Sequence, residues 1–227
     1  ILLLKINNNT YYQMKNVQPM IIAIAGGSGS GKTTITQSII AKIKSDTNLK
    51  VATVCLDNYY KPFSDLNIEA RKKLNYDDPN SFDFDQVYYD LLALSNNQTI
   101  KMPIYDYKNY TRSDQSTEID PSDVILYEGI LSLYDPRILD LSKFKLFIDT
   151  PSDERLARRI ERDCLERARD IKQVLNQWRS QVRVMHRKYV QKQKEGANLI
   201  LPWYTLNHEG MSIIQNAIIK IAQGNQF

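Results

Sequence analysis

The sequence predicts an α/β fold, a doubly wound and mainly parallel sheet with helices on both faces. Three observations carry this. Short apolar runs recur at 20–25, 51–56, 124–127, 145–149 and 198–201, and runs of that length read as strands buried on both faces. Segments of helical period alternate with them, as in 33–44, where Ile35, Ile39, Ile40 and Ile43 share one face. Between the first strand and that helix lies Gly26-Gly27-Ser28-Gly29-Ser30-Gly31-Lys32-Thr33. It satisfies G-x-x-x-x-G-K-[ST], the phosphate-binding P-loop, in the strand–loop–helix context that gives the motif meaning.

The elements follow in order. Residues 1–19 are expected to be a polar, frayed lead-in; Ile1-Leu2-Leu3-Leu4 is interrupted too soon by Lys5 to span a membrane. Residues 20–222 are expected to form a single P-loop domain, the size that 227 residues allow. The strand at 51–56 ends at Asp57. A helix is expected over 84–94, with Val87, Leu91, Leu92 and Leu94 inward. Segments 100–107 and 116–119 pair as a hairpin, inserted at about 100–120, around the turn-rich stretch 108–114. The strand at 124–127 closes on Glu128-Gly129. A basic helical segment starts at Ser152, and a last helix runs from Met211 to Ala222.

Composition is that of an ordinary globular protein, with 42% hydrophobic and 25% charged residues. The net charge of +4 suits an anionic substrate and by itself selects no partner. Cys55 and Cys164 lie far apart in apolar or helical patterns, which fits a reduced, cytoplasmic protein.

In doubly wound sheets ligands bind at the carboxyl ends of strands, where Gly26, Asp57, Glu128 and Asp149 fall. The loop N–H groups and the helix N-terminus favour phosphate oxygens. Lys32 can reach the β- and γ-phosphates, and Thr33 can ligate Mg²⁺. Asp57 reads equally as a base for an acceptor hydroxyl or as a turn-capping aspartate. Glu128 is placed to hold Mg²⁺ directly or through water. Arg155, Arg158, Arg159, Arg162, Arg167 and Arg169 crowd one segment with Glu161, Asp163, Glu166 and Asp170. On charge alone a solvated, salt-bridged helix outweighs a lid closing cations over a triphosphate. Six of the 14 tyrosines, among them Tyr59 and Tyr60, cluster in the irregular segments. They can pack the core or stack a planar base.

These motifs, in this order, resemble the uridine kinase (uridine–cytidine kinase) family of P-loop kinases from about Ile21 to about Ile218. Asp57-Asn58-Tyr59-Tyr60 resembles the family's D-x-F/Y-Y. Tyr76-Asp77-Asp78-Pro79 resembles F-D-H-P, and Pro103-Ile104-Tyr105-Asp106-Tyr107 resembles P-x-Y-D-F. The stretch from Pro121 to Leu131 resembles P-A-D-V-x-x-x-E-G-I-L, and that from Arg158 to Asp170 resembles R-R-x-x-R-D…E-R-G-R-D.

The resemblance implies transfer of the γ-phosphoryl of ATP or GTP, with Mg²⁺, to the 5′-hydroxyl of uridine or cytidine. It implies a cytoplasmic homotetramer with neither nucleic-acid nor membrane partners. Under it Asp57 is the base, with Lys32 and the lid arginines Arg162 and Arg167 at the transferring phosphate; the lid covers about 152–170. Donor contacts fall to Gly26, Gly27, Ser28, Gly29, Ser30, Gly31, Lys32, Thr33 and Thr34, and metal contacts to Thr33 and Glu128; Trp203, where the family has arginine, is expected instead to pack beside the donor's adenine. On the nucleoside side Asp77 grips the ribose, Tyr76 and Tyr107 flank the base, and Tyr105 touches its edge. Tyr60, Tyr110, Arg159, Arg169 and Gln177 complete that side.

The chain departs from the family pattern at three places: Tyr110 for a histidine, Trp203 for an arginine and Ala168 for a glycine. A phenol oxygen at 110 can accept from the cytosine amino group, so cytidine is expected to be favoured. The rivals are a phosphoribulokinase-like or pantothenate-kinase-like enzyme, and a nucleotide-dependent switch with no acceptor. The first would need extra cations where Tyr76, Asp77, Tyr105 and Tyr107 stand. The second would not need both Asp57 and Asp77.

Overall fold

The computed structural model describes residues 3–4, 12–13, 18–167, 169–205 and 207–224. The rest of the expected lead-in up to residue 17, and Ala168, lie outside these; β1 (Leu3–Leu4) and β2 (Tyr12–Gln13) pair antiparallel.

The centre is a five-stranded, all-parallel sheet. Its strands are β3 (Met20–Gly26), β4 (Val51–Cys55), β7 (Val124–Gly129), β8 (Ser142–Asp149) and β9 (Leu199–Pro202). They lie in the order β4-β7-β3-β8-β9. β3 is central because every residue in it is buried, and its side chains alternate between two cores. Ile21, Ala23 and Ala25 enter one; Met20, Ile22 and Ile24 enter the other. The second core is closed by α1 (Lys32–Asp46) through Ile35, Ile39 and Ile43, and by α8 (His208–Ala222) through Met211, Ile214 and Ile218. The first is closed by α3 (Phe84–Ser95) through Val87, Leu91 and Leu94, and by α4 (Pro136–Leu141) through Ile138. Apolar strands flanked by two helical layers are the predicted doubly wound architecture.

Several boundaries differ from expectation for local reasons. β4 stops at Cys55, and Leu56–Tyr59 forms one 3-10 turn, so Asp57 stands on a turn just beyond the strand. The hairpin of β5 (Ile100–Asp106) and β6 (Thr111–Ile119) is tighter than predicted, with Asp106 opposite Thr111. The Asp106 carboxylate closes that turn by accepting from the backbone N–H of Lys108 and Asn109 and from the Asn109 amide. Tyr110, the last turn residue, takes φ 53°.

The short helix α2 (Ile68–Arg71) lies in the segment after Asp57. The helical stretch beginning at Ser152 divides in two. α5 (Ser152–Leu165) is followed by α6 (Ile171–Gln177), which the Asp170 carboxylate caps by accepting from Lys172 and Gln173 N–H. From α6 the chain continues through widened π turns at Trp178–Val182 and His186–Val190, with α7 (Arg183–Met185) between them.

Candidate active site

The carboxyl ends of β3, β4 and β7, the hairpin and α5 enclose a cavity of about 520 Å³. The phosphate loop forms one side. Ser28, Gly29, Lys32, Thr33 and Thr34 line the cavity, while Gly26, Gly27, Ser30 and Gly31 shape the loop behind. The Lys32 ammonium donates to the carbonyls of Gly26 (3.0 Å) and Gly27 (3.2 Å), so it lies curled over the loop. Burial pushes Lys32 below the ordinary lysine range, and the carboxylates of Glu128 and Asp57 oppose that shift. Gly29 has φ +77°, and a Cβ there would run into the Arg155 carbonyl. The loop can therefore pack on α5 only as glycine.

Glu128 ends β7 beside the loop and accepts a 3.0 Å hydrogen bond from the Thr33 hydroxyl. Burial raises the Glu128 carboxyl above its usual range, with Lys32 pulling it back. A hydroxyl and a carboxylate side by side are hard oxygen donors that fit Mg²⁺. Among the described residues no group of three or more His, Cys, Asp or Glu side chains forms a metal cage. Gly129 lines the cavity, and a Cβ there would strike the Leu56 side chain, next to Asp57. Gly129→Ala is expected to cost about 2 kcal/mol by overpacking. The corresponding fall in Tm, about 4–8 °C, is measurable by calorimetry.

The acceptor side faces the loop across the cavity. Asp57 points into it, and among the described residues its carboxylate accepts one hydrogen bond, 3.2 Å from the Tyr107 hydroxyl. That geometry favours a chemical group over a turn cap. Tyr60, Tyr76, Tyr105 and Tyr110 line the same side. The Tyr76 ring lies 6.0 Å from that of Tyr110, tilted by 36°. The Tyr105 hydroxyl is buried and unpaired among the described residues. Asp77 is buried deep in the cavity, and burial raises its carboxyl while Arg159 opposes the rise.

The arginine-rich segment supplies the third wall, through Arg159, Arg162, Arg167 and Arg169. Arg159 donates to the Ser28 hydroxyl at 2.6 Å and to Gln177 Oε1 at 2.7 Å, which joins the loop to α6. Arg169 reaches the same Gln177 oxygen at 3.2 Å. All four guanidiniums gather on one fully buried carboxylate, Asp163, at 2.7 Å (Arg162), 3.2 Å (Arg169) and 3.6 Å (Arg159 and Arg167). The Arg167 guanidinium also sits 4.6 Å over the Tyr107 ring. The segment is a cavity wall, against the weight that charge alone gave to a solvated helix.

Trp203 is not brought to the cavity. It is buried in the second core, and its indole Nε1 would be 2.8 Å from a Cβ on Gly31, so it braces the loop from behind. Cys55, Ile130 and Glu166, to which no site role was assigned, also line the cavity. Asp163 was legible as a partner for Arg159 from its i,i+4 spacing.

A phosphate loop at the carboxyl end of the central strand of a doubly wound parallel sheet, with an acidic and aromatic pocket facing it, defines the P-loop kinase class. Solved structures share the fold. A phosphoribulokinase from Rhodobacter spheroides superposes with TM-score 0.61 at 12% identity, covering 82% of this chain and 71% of that one. A D-glycerate 3-kinase from Cryptococcus neoformans var. grubii does so with TM-score 0.52 at 18% identity, covering 80% and 81%. Residues 21–208 match the model of the phosphoribulokinase/uridine kinase family, and the chain belongs to that family. Among its relatives is the uridine kinase of Bacillus subtilis (strain 168), 43% identical over 207 residues, which cover 91% of this chain and 97% of the relative. The uridine kinase of Mycoplasma pneumoniae is 40% identical over 205 residues, 90% and 95% of the two chains.

Proposed function

We propose that the protein is a pyrimidine nucleoside kinase, transferring the γ-phosphoryl of ATP or GTP to the 5′-hydroxyl of uridine or cytidine. The observation that carries this is a single cavity with the phosphate loop on one side and Asp57, Asp77 and the tyrosines on the other. The names and near-full-length similarity of the relatives support it. So does the acceptor wall, where aromatic rings and a buried carboxylate suit a base and a ribose diol better than a sugar phosphate.

Asp57, oriented by Tyr107, takes the proton of the 5′-hydroxyl as its oxygen attacks the γ-phosphorus. Asp77 accepts from ribose hydroxyls, and Tyr76, Tyr105 and Tyr107 hold the base. Lys32 leaves the loop carbonyls for the phosphates, and Arg162 and Arg167 supply the cations that favour the transition state. Thr33 and Glu128 would hold Mg²⁺, which neutralises charge on the β- and γ-oxygens when bound. The four-arginine wall excludes water from the transferring group. A homotetramer in the cytoplasm belongs to the same reading; among the described residues no helix is long and apolar enough to cross a membrane.

The test is ADP release from Mg-ATP with each nucleoside. Release that depends on uridine or cytidine supports the reading, and nucleoside-independent release favours the switch. Tyr110 lines the acceptor side, so kcat/KM for cytidine is expected to exceed that for uridine by about tenfold, the worth of one hydrogen bond. Tyr110→Phe removes the oxygen and is expected to erase the difference. A clear uridine preference in the unaltered protein would sink the idea.

A further inference from the structure

The acceptor wall is made from two separate parts of the chain. The 3-10 turn Leu56–Tyr59 carries Asp57, and the hairpin carries Tyr105, Tyr107 and Tyr110. Transfer requires the two to hold a fixed spacing, because the nucleoside lies on the hairpin side while its hydroxyl must meet Asp57. One side chain bridges them through several atoms at once. Arg112, in the second hairpin strand, donates from Nε to the Tyr60 carbonyl at 2.7 Å and from Nη2 to the Tyr59 carbonyl at 3.1 Å. Its Nη1 donates to Gln86 Oε1 at 2.6 Å, and Nη2 also meets Asp83 Oδ2 at 3.4 Å, both in the first turn of α3 or at its cap.

The chemistry favours this arrangement. The last carbonyls of a helical turn lack partners within the turn, and a guanidinium offers five donors in a rigid fork to collect them. Among the described residues the Tyr60 carbonyl accepts from Arg112 alone, while the Tyr59 carbonyl accepts from the Asp83 N–H at 2.9 Å as well. The Asn58 carboxamide oxygen adds a second tie by accepting from the Tyr105 N–H at 3.2 Å, and the Tyr107 hydroxyl a third by donating to Asp57 at 3.2 Å.

We propose that Arg112 is a positioning residue that locks the Asp57 turn to the nucleoside-holding hairpin and so sets the distance between base and acceptor hydroxyl. This rests on the kinase reading above. Arg112 does not line the cavity, so it acts through the turn and never on substrate. Arg112→Lys keeps the charge but cannot hold both carbonyls and α3 together.

The experiment compares the unaltered protein, Arg112→Lys and Arg112→Ala. With Mg-ATP and the better nucleoside, Arg112→Lys is expected to lose about 100-fold in kcat/KM for the nucleoside, the cost of a misplacement near 1 Å. The Kd for a fluorescent ATP analogue is expected to stay within twofold. Ethylguanidinium at millimolar levels is expected to restore part of the activity of Arg112→Ala. Amide exchange of residues 57–60 is expected to speed up in Arg112→Lys, with the phosphate loop unchanged. Retention of kcat/KM within threefold, unchanged exchange at 57–60, or an equal loss of analogue binding overturns the inference. If the unaltered protein phosphorylates neither nucleoside, the kinase reading falls, and the exchange comparison alone decides whether the lock exists.

Discussion

Asp57→Asn is expected to lower the rate of phosphoryl transfer by about 10²–10⁴-fold, the usual worth of a positioned general base. An amide has the shape of the carboxylate and can still accept from the Tyr107 hydroxyl, but it cannot take a proton at neutral pH. The donor side is built from other atoms. Lys32 is held by the Gly26 and Gly27 carbonyls, Ser28 by Arg159, and Thr33 by Glu128. Binding of an ATP analogue should therefore survive, and its Kd is expected to stay within about threefold; losing one favourable charge beside Lys32 accounts for the small change. Single-turnover transfer and analogue binding on one preparation separate the two effects. Turnover near the wild-type rate would remove Asp57 from the mechanism.

The fold was legible because its inner strands β3 and β7 are buried on both faces, whereas β9 at the sheet edge is largely exposed. Ile21 to Ile24 serve two cores at once, so the sequence there is apolar without interruption, and the glycine loop marks where the sheet meets its first helix. The hairpin was legible as a hairpin but not in its length. Thr111 to Gln115 are polar because β6 is half-buried at its start and exposed beyond, and the Asp106 carboxylate folding back on Lys108 and Asn109, with Asp106 opposite Thr111, shows that the turn is short. At the site, the residues carried by motifs came together in one cavity. The residues that hold them in place were harder to read. Arg112 acts through carbonyls of Tyr59 and Tyr60 some 50 residues away, and no local pattern announces such a contact. The arginine run was ambiguous for a related reason: a solvated helix and a cavity wall show the same charge spacing. What separates them is the burial of Asp163, a tertiary property.

Asp163→Asn therefore tests what the run is for, and its expected effect on stability is large. The Asp163 side chain is 0% exposed and receives four guanidiniums, which its removal leaves facing one another. Breaking a buried ion pair from one side costs about 3 kcal/mol, which corresponds to a Tm lower by roughly 6–12 °C in a chain of this size. The pH dependence has a definite sign. Burial alone would push the Asp163 carboxyl up, but Arg159, Arg162 and Arg167 outweigh it and hold it below the usual aspartate range. A carboxyl depressed in the folded state stabilises fully above its unfolded value, about 3.9, and loses that contribution as pH falls through the lower folded value. The gap in Tm between the two proteins should thus be constant from pH 8 to about 5 and shrink below about 4. Four unneutralised guanidiniums beside the phosphate loop also form an anion site, so millimolar sulfate is expected to raise the Tm of Asp163→Asn more than that of the unaltered protein. Equal Tm values at pH 7, or sulfate acting equally on both, would show that the four arginines do not depend on Asp163 for their place around the cavity.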